Sequence, residues 1–411
     1  MIPSTIPAVP AVSDISAAPA DSAILAALAI PAVSDIPAAP AGPEIRKKIQ
    51  KTKILQLSGL SVQFETSLGR VQAADNVSFE IFENETLALV GETGCGKSVV
   101  ASAIMQLLPK NAKSKGNIEF GGRNLLDLGE EEMAGVRGAE IAIIFQNPSL
   151  SLNPVVTIGE QIAEMLQVHG EAGRSQSIEK AAGVLQRLGL GERSLLKMYP
   201  FQFSGGMNQR VMIASALMLS PRIIIADEPT KGLDSATAAG TVQEMKKMKD
   251  LSGASLLLIT HDPALVESIA DRVAVMYCGE ILEIGPCRDV FQKPLHPYTK
   301  ALLDCLPERG LHPIPGASPS MTNPPQGCKF HPRCPMRCTK CSQSPFMKRM
   351  KRTEWMTQVE LVERTTQAER EERTTQVEWV ERATQVECVE RMKTVDLGTP
   401  SGERWVKCWL Y

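Results

Sequence analysis

The feature that most constrains the fold is a glycine-rich segment, LVGETGCGKS at residues 89–98, which contains Gly91, Gly96, Lys97 and Ser98. It follows the apolar run TLALV, typical of a short buried strand, and it leads into SVVASAIMQLL, typical of a helix. A glycine-rich turn between strand and helix can direct backbone N–H groups and the positive end of the helix dipole toward an anion. The segment therefore predicts a phosphate-binding loop (P-loop) within an α/β protein.

The residue types in this loop suit a nucleoside triphosphate bound with Mg²⁺. Glycines let successive amides surround a phosphate, a lysine can reach the β- and γ-phosphate oxygens, and a serine hydroxyl can bind the metal. We expect the residues that bind the nucleotide here to be Gly91, Glu92, Thr93, Gly94, Cys95, Gly96, Lys97 and Ser98, with Ser98 also a Mg²⁺ ligand.

A second strand pattern, RIIIAD at 222–227, ends in Asp227 and is followed at once by Glu228. A carboxylate in the first position can hold Mg²⁺ and its water shell, and one in the second can polarise the water that attacks the γ-phosphate. We therefore predict that Asp227 binds the metal and that Glu228 is catalytic.

The remaining patterns indicate how the core is organised. Strand-like runs return at SLLLIT (255–260) and RVAVMYCGEILEIG (272–285), whereas residues 155–200 place apolar residues at three- and four-residue spacing. Strands that alternate with helices predict an α/β core with a parallel sheet, and the helical stretch predicts an inserted subdomain.

Both ends of the chain differ from this core. Residues 1–50 are rich in Ala and Pro and contain AVSDI twice, which predicts a disordered leader. Residues 347–411 contain variants of TQVExVER whose glutamines recur every nine residues, and that step forms no continuous apolar face on a helix or a strand. We predict a weakly structured repetitive tail, with an oligomerising helix as the alternative.

Composition narrows the function classes. The formal net charge is −2, which gives no reason to expect a nucleic-acid partner. No apolar run reaches the roughly 18–20 residues needed to cross a bilayer. Four of the ten cysteines lie within residues 328–341, and this crowding indicates free thiols and one ligand cluster rather than a disulfide framework.

Further motifs, in order along the chain, resemble the ATP-binding cassette (ABC) family. Gln146 in IAIIFQNP lies where the family has its Q-loop glutamine, and FSGGMNQR (203–210) resembles the family signature LSGGQxQR. Asp234 in KGLD resembles the D-loop aspartate, and His261 in LLLITHD the switch histidine.

The resemblance implies an α/β P-loop NTPase fold: an ABC nucleotide-binding domain at 51–290, with an antiparallel β subdomain and an inserted helical subdomain at about 147–215. A small Cys-rich C-terminal extension follows at 291–346. It also implies that two cassettes share each ATP, so that the signature loop of one contacts the nucleotide on the P-loop of the other. The shared site adds four residues to those that bind the nucleotide: Ser204, Gly205, Gly206 and Asp234. The resemblance also implies that Gln146 is a Mg²⁺ ligand and that Gln146 and His261 are catalytic residues. Ser204 also suits a helix N-cap.

The segments FQKPLHPYTKALLDCLP and GCKFHPRCP resemble the C-terminal extension of ATPases in the oligopeptide, dipeptide and nickel importer branch. Met207, in place of the usual signature glutamine, resembles the D-type subunits of the oligopeptide and dipeptide importers. The resemblance implies a peripheral protein on the cytoplasmic face of the membrane. Its implied partners are a second ABC ATPase subunit in a homo- or heterodimer, two membrane permeases and, indirectly, a substrate-binding protein. Peptide import is favoured, import of nickel or a metal chelate is the alternative, and a non-transport ABC ATPase is a third reading.

Two features leave alternatives open. The cysteines have the spacing C-x5-C-x3-C-x2-C, and four thiolates this close can enclose Zn²⁺ or an iron–sulfur cluster. Since relatives of this branch carry a 4Fe–4S cluster here, the resemblance favours one at Cys328, Cys334, Cys338 and Cys341, with zinc or no metal as alternatives and His331 as another ligand. Phe64 is either the aromatic that stacks on adenine or a core residue of its strand.

Overall fold

The computed structural model describes residues 52–67, 69–146, 148–231, 235–343, 345, 347–350 and 404–408, all of them within the compact unit Gln50–Tyr411. The predicted leader at 1–50 and the D-loop residue Asp234 lie outside the described residues. So does most of the predicted repetitive tail.

A four-stranded antiparallel sheet begins the described chain. Its strand order is β2-β1-β4-β5, and β1 pairs with β2 on one side and with β4 on the other. This sheet is the antiparallel β subdomain that the resemblance implied. Its strands are β1 (Lys53–Thr66), β2 (Gly69–Phe82), β4 (Ala112–Phe120) and β5 (Arg123–Asn124).

The second sheet has eight strands in the order β11-β12-β10-β9-β3-β8-β7-β6. The five from β9 to β6 are parallel, as the alternation of strands and helices predicted, and β10, β12 and β11 extend the sheet in antiparallel fashion. The strands are β3 (Thr86–Val90), β6 (Ile141–Ile144), β7 (Ile223–Asp227), β8 (Ser255–Thr260), β9 (Arg272–Tyr277), β10 (Glu280–Pro286), β11 (Lys348–Met350) and β12 (Arg404–Val406).

Helices connect the parallel strands, and a helical insert separates β6 from β7. The insert begins at residue 148 and ends at 217, close to the predicted 147–215. The helices before and within it are α1 (Lys97–Ile104), α2 (Glu130–Val136), α3 (Pro148–Ser151), α4 (Ile158–Val168), α5 (Arg174–Arg187) and α6 (Gly205–Leu217). Those after it are α7 (Ser235–Ser252), α8 (Pro263–Ile269), α9 (Cys287–Gln292) and α10 (Pro297–Asp304).

Successive side chains of a strand point to opposite sides of the sheet, and in the central strands both sides are covered by apolar clusters. Leu87 and Leu89 of β3 pack into an apolar cluster shared with the antiparallel sheet and α1. Ala88 and Val90 pack into a second cluster, shared with the helical insert and the C-terminal extension. Near-continuous apolar runs such as TLALV and RIIIAD are explained by this double burial.

The end of the chain corrects the prediction of a weakly structured tail over 347–411. β11 and β12 pair with each other, and β12 also pairs with β10, so both complete the edge of the large sheet. Arg404 of β12 is fully buried, and its Nε donates to Glu283 of β10 at 3.0 Å. The repeat pattern could not reveal this pairing, because Arg404 lies outside the repeat and its partner is 121 residues away.

Candidate functional site

The P-loop connects the buried end of β3 to the first turn of α1, as the sequence predicted. Gly96, the N-cap of α1, has a φ of 108°, a conformation that L side chains rarely adopt. A Cβ atom at this position would lie 2.1 Å from the backbone oxygen of Ala73. A glycine is therefore required here both by the backbone conformation and by the close approach of β2.

Lys97, the first residue of α1, is 5 % exposed. Its Nζ donates to the backbone oxygen of Gly91 at 2.7 Å and to that of Glu92 at 3.0 Å. A buried ammonium group needs such acceptors. Both acceptors belong to the loop itself, so phosphate oxygens can replace them without any rearrangement of the core.

Ser98 and Asp227 meet between α1 and the end of β7. The Ser98 hydroxyl donates to Asp227 Oδ1 at 3.0 Å. Burial raises the pKa of Asp227, and the Ser98 hydrogen bond partly offsets that increase. A hydroxyl and a carboxylate in contact beside a P-loop are suited to sharing one Mg²⁺ ion, because both supply the oxygen ligands that this cation prefers.

Glu228 and His261 form a second polar pair beside the first. They follow the neighbouring parallel strands β7 and β8, and His261 Nδ1 lies 2.6 Å from Glu228 Oε2. Glu228 is 7 % exposed and has a φ of 49°, which is unusual for a residue with a side chain. Its N–H donates to the backbone oxygen of Ile259 at 2.8 Å, and this bond helps to hold the strained backbone in place.

Gln146 follows β6, the edge strand next to β7, by two residues. Because β6 and β7 are parallel, with Ile144 opposite Ala226, Gln146 and Asp227 emerge from the same edge of the sheet. The sequence-predicted residues from the P-loop, β7, β8 and β6 are thus gathered along one edge, the usual location of ligand sites in open α/β sheets.

The signature loop lies at the start of α6 in the helical insert. Ser204 is the N-cap of this helix, and its Oγ accepts a hydrogen bond from the N–H of Met207 at 3.3 Å. Ser204 and Gly205 are exposed. The loop therefore presents the N-terminus of a 13-residue helix to the outside of the molecule, where an anion can be bound.

Phe64, for which the sequence left open adenine stacking or a core role, is partly buried. Phe64 of β1 packs against the apolar cluster that β1 shares with α1 and the central strands. This contact favours its role as a core residue of the antiparallel sheet.

The cysteine cluster of the extension lines a small cavity, and two residues that the sequence reasoning missed line it as well. Cys408 follows β12, and His296 precedes α10; both face the cavity with His331, although they are far from the cluster in sequence. The only available signal was the presence of a further cysteine near the end of the chain. The predicted ligands that also line the cavity are Cys328, Cys334, Cys338 and Cys341.

Burial raises the pKa of three thiols that line this cavity, those of Cys328, Cys334 and Cys341. Burial raises the pKa of Cys334 to about 12 and that of Cys341 to about 11. The Sγ atoms of Cys338 and Cys341 lie 3.7 Å apart, and burial lowers the pKa of His296 to about 3. Within the described residues, no group of three or more His, Cys, Asp or Glu side chains is arranged to hold a metal ion.

The P-loop, the metal-suited pair and the Glu–His pair along one edge of a parallel sheet define a P-loop nucleoside triphosphatase. A family model described as ABC transporter matches residues 74–231, and one described as oligopeptide/dipeptide transporter, C-terminal region, matches residues 282–341. This chain belongs to the ATP-binding proteins of the ABC transporter family.

Curated relatives and a solved structure agree with this assignment. The chain is 45% identical over 301 residues to the dipeptide transport ATP-binding protein DppD of Bacillus subtilis, covering 71% of this chain and 89% of the relative. It is 40% identical over 302 residues to the oligopeptide transport ATP-binding protein OppD of Escherichia coli, covering 72% and 90%. A dimeric ATP-binding cassette in a post-hydrolysis state, bound to ADP and Pi, is 28% identical with a TM-score of 0.51, covering 57% of this chain and 99% of that one.

Among the helices that the structure describes, none combines the length and the apolar character needed to cross a membrane.

Proposed function

We propose that this protein is an ATPase subunit that powers the import of peptides through membrane permease partners. One observation carries the proposal: the Ser98–Asp227 and Glu228–His261 pairs lie beside the P-loop at the ends of adjacent strands. The first pair suits metal binding and the second suits activation of water, so together they supply what hydrolysis of a nucleoside triphosphate requires.

Binding begins with an exchange of partners at Lys97. Its ammonium group, now bonded to the loop carbonyls of Gly91 and Glu92, turns to the phosphate oxygens of ATP. The backbone amides of residues 91–98 and the N-terminus of α1 attract the same negative charge. Ser98, Asp227 and Gln146 would hold Mg²⁺, which neutralises the negative charge that develops on the phosphate oxygens.

Glu228 acts on the attacking water. Its carboxylate is buried, and the 2.6 Å contact with His261 fixes the orientation of the acid. A carboxylate held in this way can accept hydrogen bonds from a water molecule and take its proton as the γ-phosphate leaves. His261 then lies close enough to stabilise the charge that this proton transfer creates.

A second cassette completes the site. The exposed residues Ser204 and Gly205, with Gly206, begin a helix whose N-terminus has no phosphate of its own to bind if the P-loop holds the nucleotide. We infer that this loop contacts ATP on the P-loop of a second ABC ATPase subunit, identical or homologous. Asp234 is expected near the same interface. Closing of the two cassettes would be passed to two permeases as a rigid-body movement.

Peptides are the proposed cargo because the C-terminal segment matches a model named for oligopeptide and dipeptide transporters. The two relatives described above are named for dipeptide and oligopeptide transport. We propose a position on the cytoplasmic face of the membrane, with cargo delivered by a substrate-binding protein and with no nucleic-acid partner. The proposed organisation is a leader at 1–50, a nucleotide-binding domain at 51–290, a Cys-rich extension at 291–346 and a repetitive tail at 347–411.

For the thiol cavity we propose a structural metal, with a 4Fe–4S cluster favoured over zinc. Five cysteines line one cavity, and thiolates are the ligands that soft metals prefer, although among the described residues these side chains are not arranged as a metal site. Iron, zinc and acid-labile sulfide should be measured in the purified protein. Cys334→Ser should remove the metal, whereas Cys305→Ser, outside the cavity, should not. A folded protein without stoichiometric metal would exclude the proposal.

Two measurements test the transport function. Purified protein should hydrolyse ATP, and Lys97→Ala should weaken ATP binding by roughly 10–100-fold, as expected for a lost charge-assisted hydrogen bond. Lys110→Ala, an exposed lysine beyond α1, is the control. Deletion of the gene in its host should abolish uptake of a labelled dipeptide. Loss of nickel uptake with normal dipeptide uptake would replace the peptide proposal with the nickel alternative.

A further inference from the structure

The C-terminal extension contacts the nucleotide loop directly, through the first residue after Gly91. Arg333, in the loop between Cys328 and Cys334, donates from one guanidinium nitrogen to both carboxylate oxygens of Glu92, each at 3.0 Å. The side chains are 8% exposed for Arg333 and 24% exposed for Glu92. This is a largely desolvated ion pair, which joins segments 241 residues apart.

The guanidinium group is itself held by the extension and the core. Its Nε donates to the backbone oxygen of Pro315 at 3.0 Å, and it also donates to Ser318 Oγ at 3.1 Å and to the Tyr277 hydroxyl at 3.2 Å. Ser318 Oγ donates in turn to Glu92. Because these partners fix the guanidinium group of Arg333, the Glu92 carboxylate that it binds is held in one position.

The backbone of Glu92 is held as well. Its N–H donates to the hydroxyl of Tyr298 at 3.0 Å. Tyr298 is fully buried in α10, and its ring packs against Tyr277 and Phe330, with centroids 4.5 and 5.3 Å away. The buried Tyr298 of the extension thus accepts a hydrogen bond from the backbone N–H of Glu92. The backbone carbonyl of Glu92 in turn accepts a hydrogen bond from Lys97.

We propose that Arg333 and Tyr298 are positioning residues for ATP binding: the extension holds Glu92 by side chain and backbone so that the P-loop is already in its phosphate-binding shape. This inference rests on the proposed ATPase function. Neither residue needs to contact the nucleotide. Their effect reaches it through the loop backbone and through the Glu92 carbonyl that orients Lys97.

The expected effect on KM and kcat follows from the position of the Glu92 contacts in the P-loop. The P-loop binds the β-phosphate in the ground state and in the transition state alike, so a loosened loop weakens both to a similar extent. Loss of such uniform binding raises KM and leaves kcat unchanged. A defect in the Glu228–His261 pair would instead lower kcat.

The test compares ATP turnover, binding of a fluorescent ATP analogue and thermal unfolding across a set of variants. Arg333→Gln and Glu92→Gln should each raise KM and Kd roughly 10-fold or more, as expected for loss of a charged hydrogen bond, with kcat within about two-fold of the parent. The double variant should be no worse than the single ones, since both remove the same contact. Arg333→Lys should recover part of the affinity, and Tyr298→Phe should raise KM without removing the charge pair.

Arg309→Gln is the matched control. This arginine also belongs to the extension, and it donates to the backbone oxygen of Phe291 in α9 at 2.7 Å. It should leave KM unchanged. A folded Arg333→Gln or Tyr298→Phe protein with the parental KM, or one in which only kcat falls, would overturn the proposal.

A readout that needs no nucleotide separates this inference from the proposed function. Cys95 in the P-loop is 5 % exposed, and its Sγ lies 3.8 Å from Lys97 Nζ. Loosening of the loop should speed alkylation of Cys95 by iodoacetamide several-fold in the nucleotide-free protein, as followed by peptide mass spectrometry. Failure of the parent to bind ATP would reject the proposed function alone. Unchanged Cys95 labelling in Arg333→Gln and Tyr298→Phe would reject the positioning role.

Discussion

The nucleotide site and the C-terminal edge of the large sheet both pair charged or polar groups, but they differ in how completely those groups are enclosed. At the nucleotide site, the side chain of His261 is 46% exposed and that of its partner Glu228 is 9% exposed. At the sheet edge, Arg404 and Glu283 are both fully buried. The Glu228–His261 pair therefore keeps one partner open to water, whereas the Arg404–Glu283 pair is closed off from water on both sides.

The two regions also differ in what a lost partner leaves behind. Removing Glu228 from the site leaves a histidine that water can still solvate. Removing Arg404 leaves a carboxylate buried among apolar strands. We therefore expect variants in the first region to change turnover and variants in the second to change stability.

The largest expected effect is that of Glu228→Gln on turnover. The amide cannot accept the proton of the attacking water, and general-base catalysis typically contributes about 10²–10⁴-fold to a rate. Phosphate release should fall by about this factor, while ATP binding persists and an ATP-bound dimer accumulates in size-exclusion chromatography. Glu267→Gln, an exposed acid in α8, serves as control. Undiminished turnover in Glu228→Gln would refute the role of Glu228 as general base. It would also contradict the expectation that variants at the nucleotide site change turnover.

Next in size is the effect of Arg404→Leu on stability. Breaking a buried ion pair on one side typically costs about 3–5 kcal/mol, because the remaining charge is left without compensation. The urea midpoint should fall accordingly. Adding Glu283→Leu should recover only part of the loss, because the Glu283 carboxylate also accepts the N–H groups of Leu295 and His296 at 3.0 and 2.9 Å. A variant as stable as the parent would show that β12 does not hold the edge.

A smaller effect is expected for Gly96→Ala, which tests the backbone rather than the charges of the nucleotide site. A side chain in this left-handed conformation costs about 1–3 kcal/mol, and its Cβ must also displace the oxygen of Ala73. ATP affinity should fall with only a modest decrease in thermal stability. Gly94→Ala, at a similar φ of 81° with no atom within 4 Å of the added Cβ, separates backbone strain from the clash. Equal effects of the two variants would argue against a role for the contact with Ala73.

The smallest effect is expected at a charge pair that is open to solvent. Lys113 and Glu65, 69% and 52% exposed, form an ion pair at 2.7 Å across β1 and β4. Water and salt screen such a pair, so Lys113→Ala should leave the urea midpoint within measurement error. A clear loss of stability here would mean that enclosure is not what distinguishes the two regions.

Prediction from sequence succeeded where chemistry requires a contiguous stretch of backbone. The P-loop, the acid pair after β7 and the histidine after β8 could each be identified alone, since residue types and strand context were adjacent in the chain. The helical insert could also be predicted, because residues 155–200 place apolar residues at the spacing typical of helices. The pairing of Ser98 with Asp227 and of Glu228 with His261 followed only once the strand order was known.

Prediction failed where partners are distant and belong to no motif. The prediction of a weakly structured tail over 347–411 did not anticipate the two short strands that complete the sheet. Cys408 and His296 were not connected with the cysteine cavity, since neither lies near the cluster in the chain. The contact between Arg333 and Glu92 could not be foreseen either, because the two residues lie in separate motifs 241 residues apart.

The amino-acid sequence by itself determined the family and the position of the phosphate-binding loop between β3 and α1. These follow from local backbone geometry and short-range spacing, which are written contiguously in the chain. Only the tertiary structure decided which charges are enclosed, which thiols share a cavity and that the extension contacts the P-loop at Glu92. Those properties depend on the order of strands and on the exclusion of water, and neither exists until distant segments pack together.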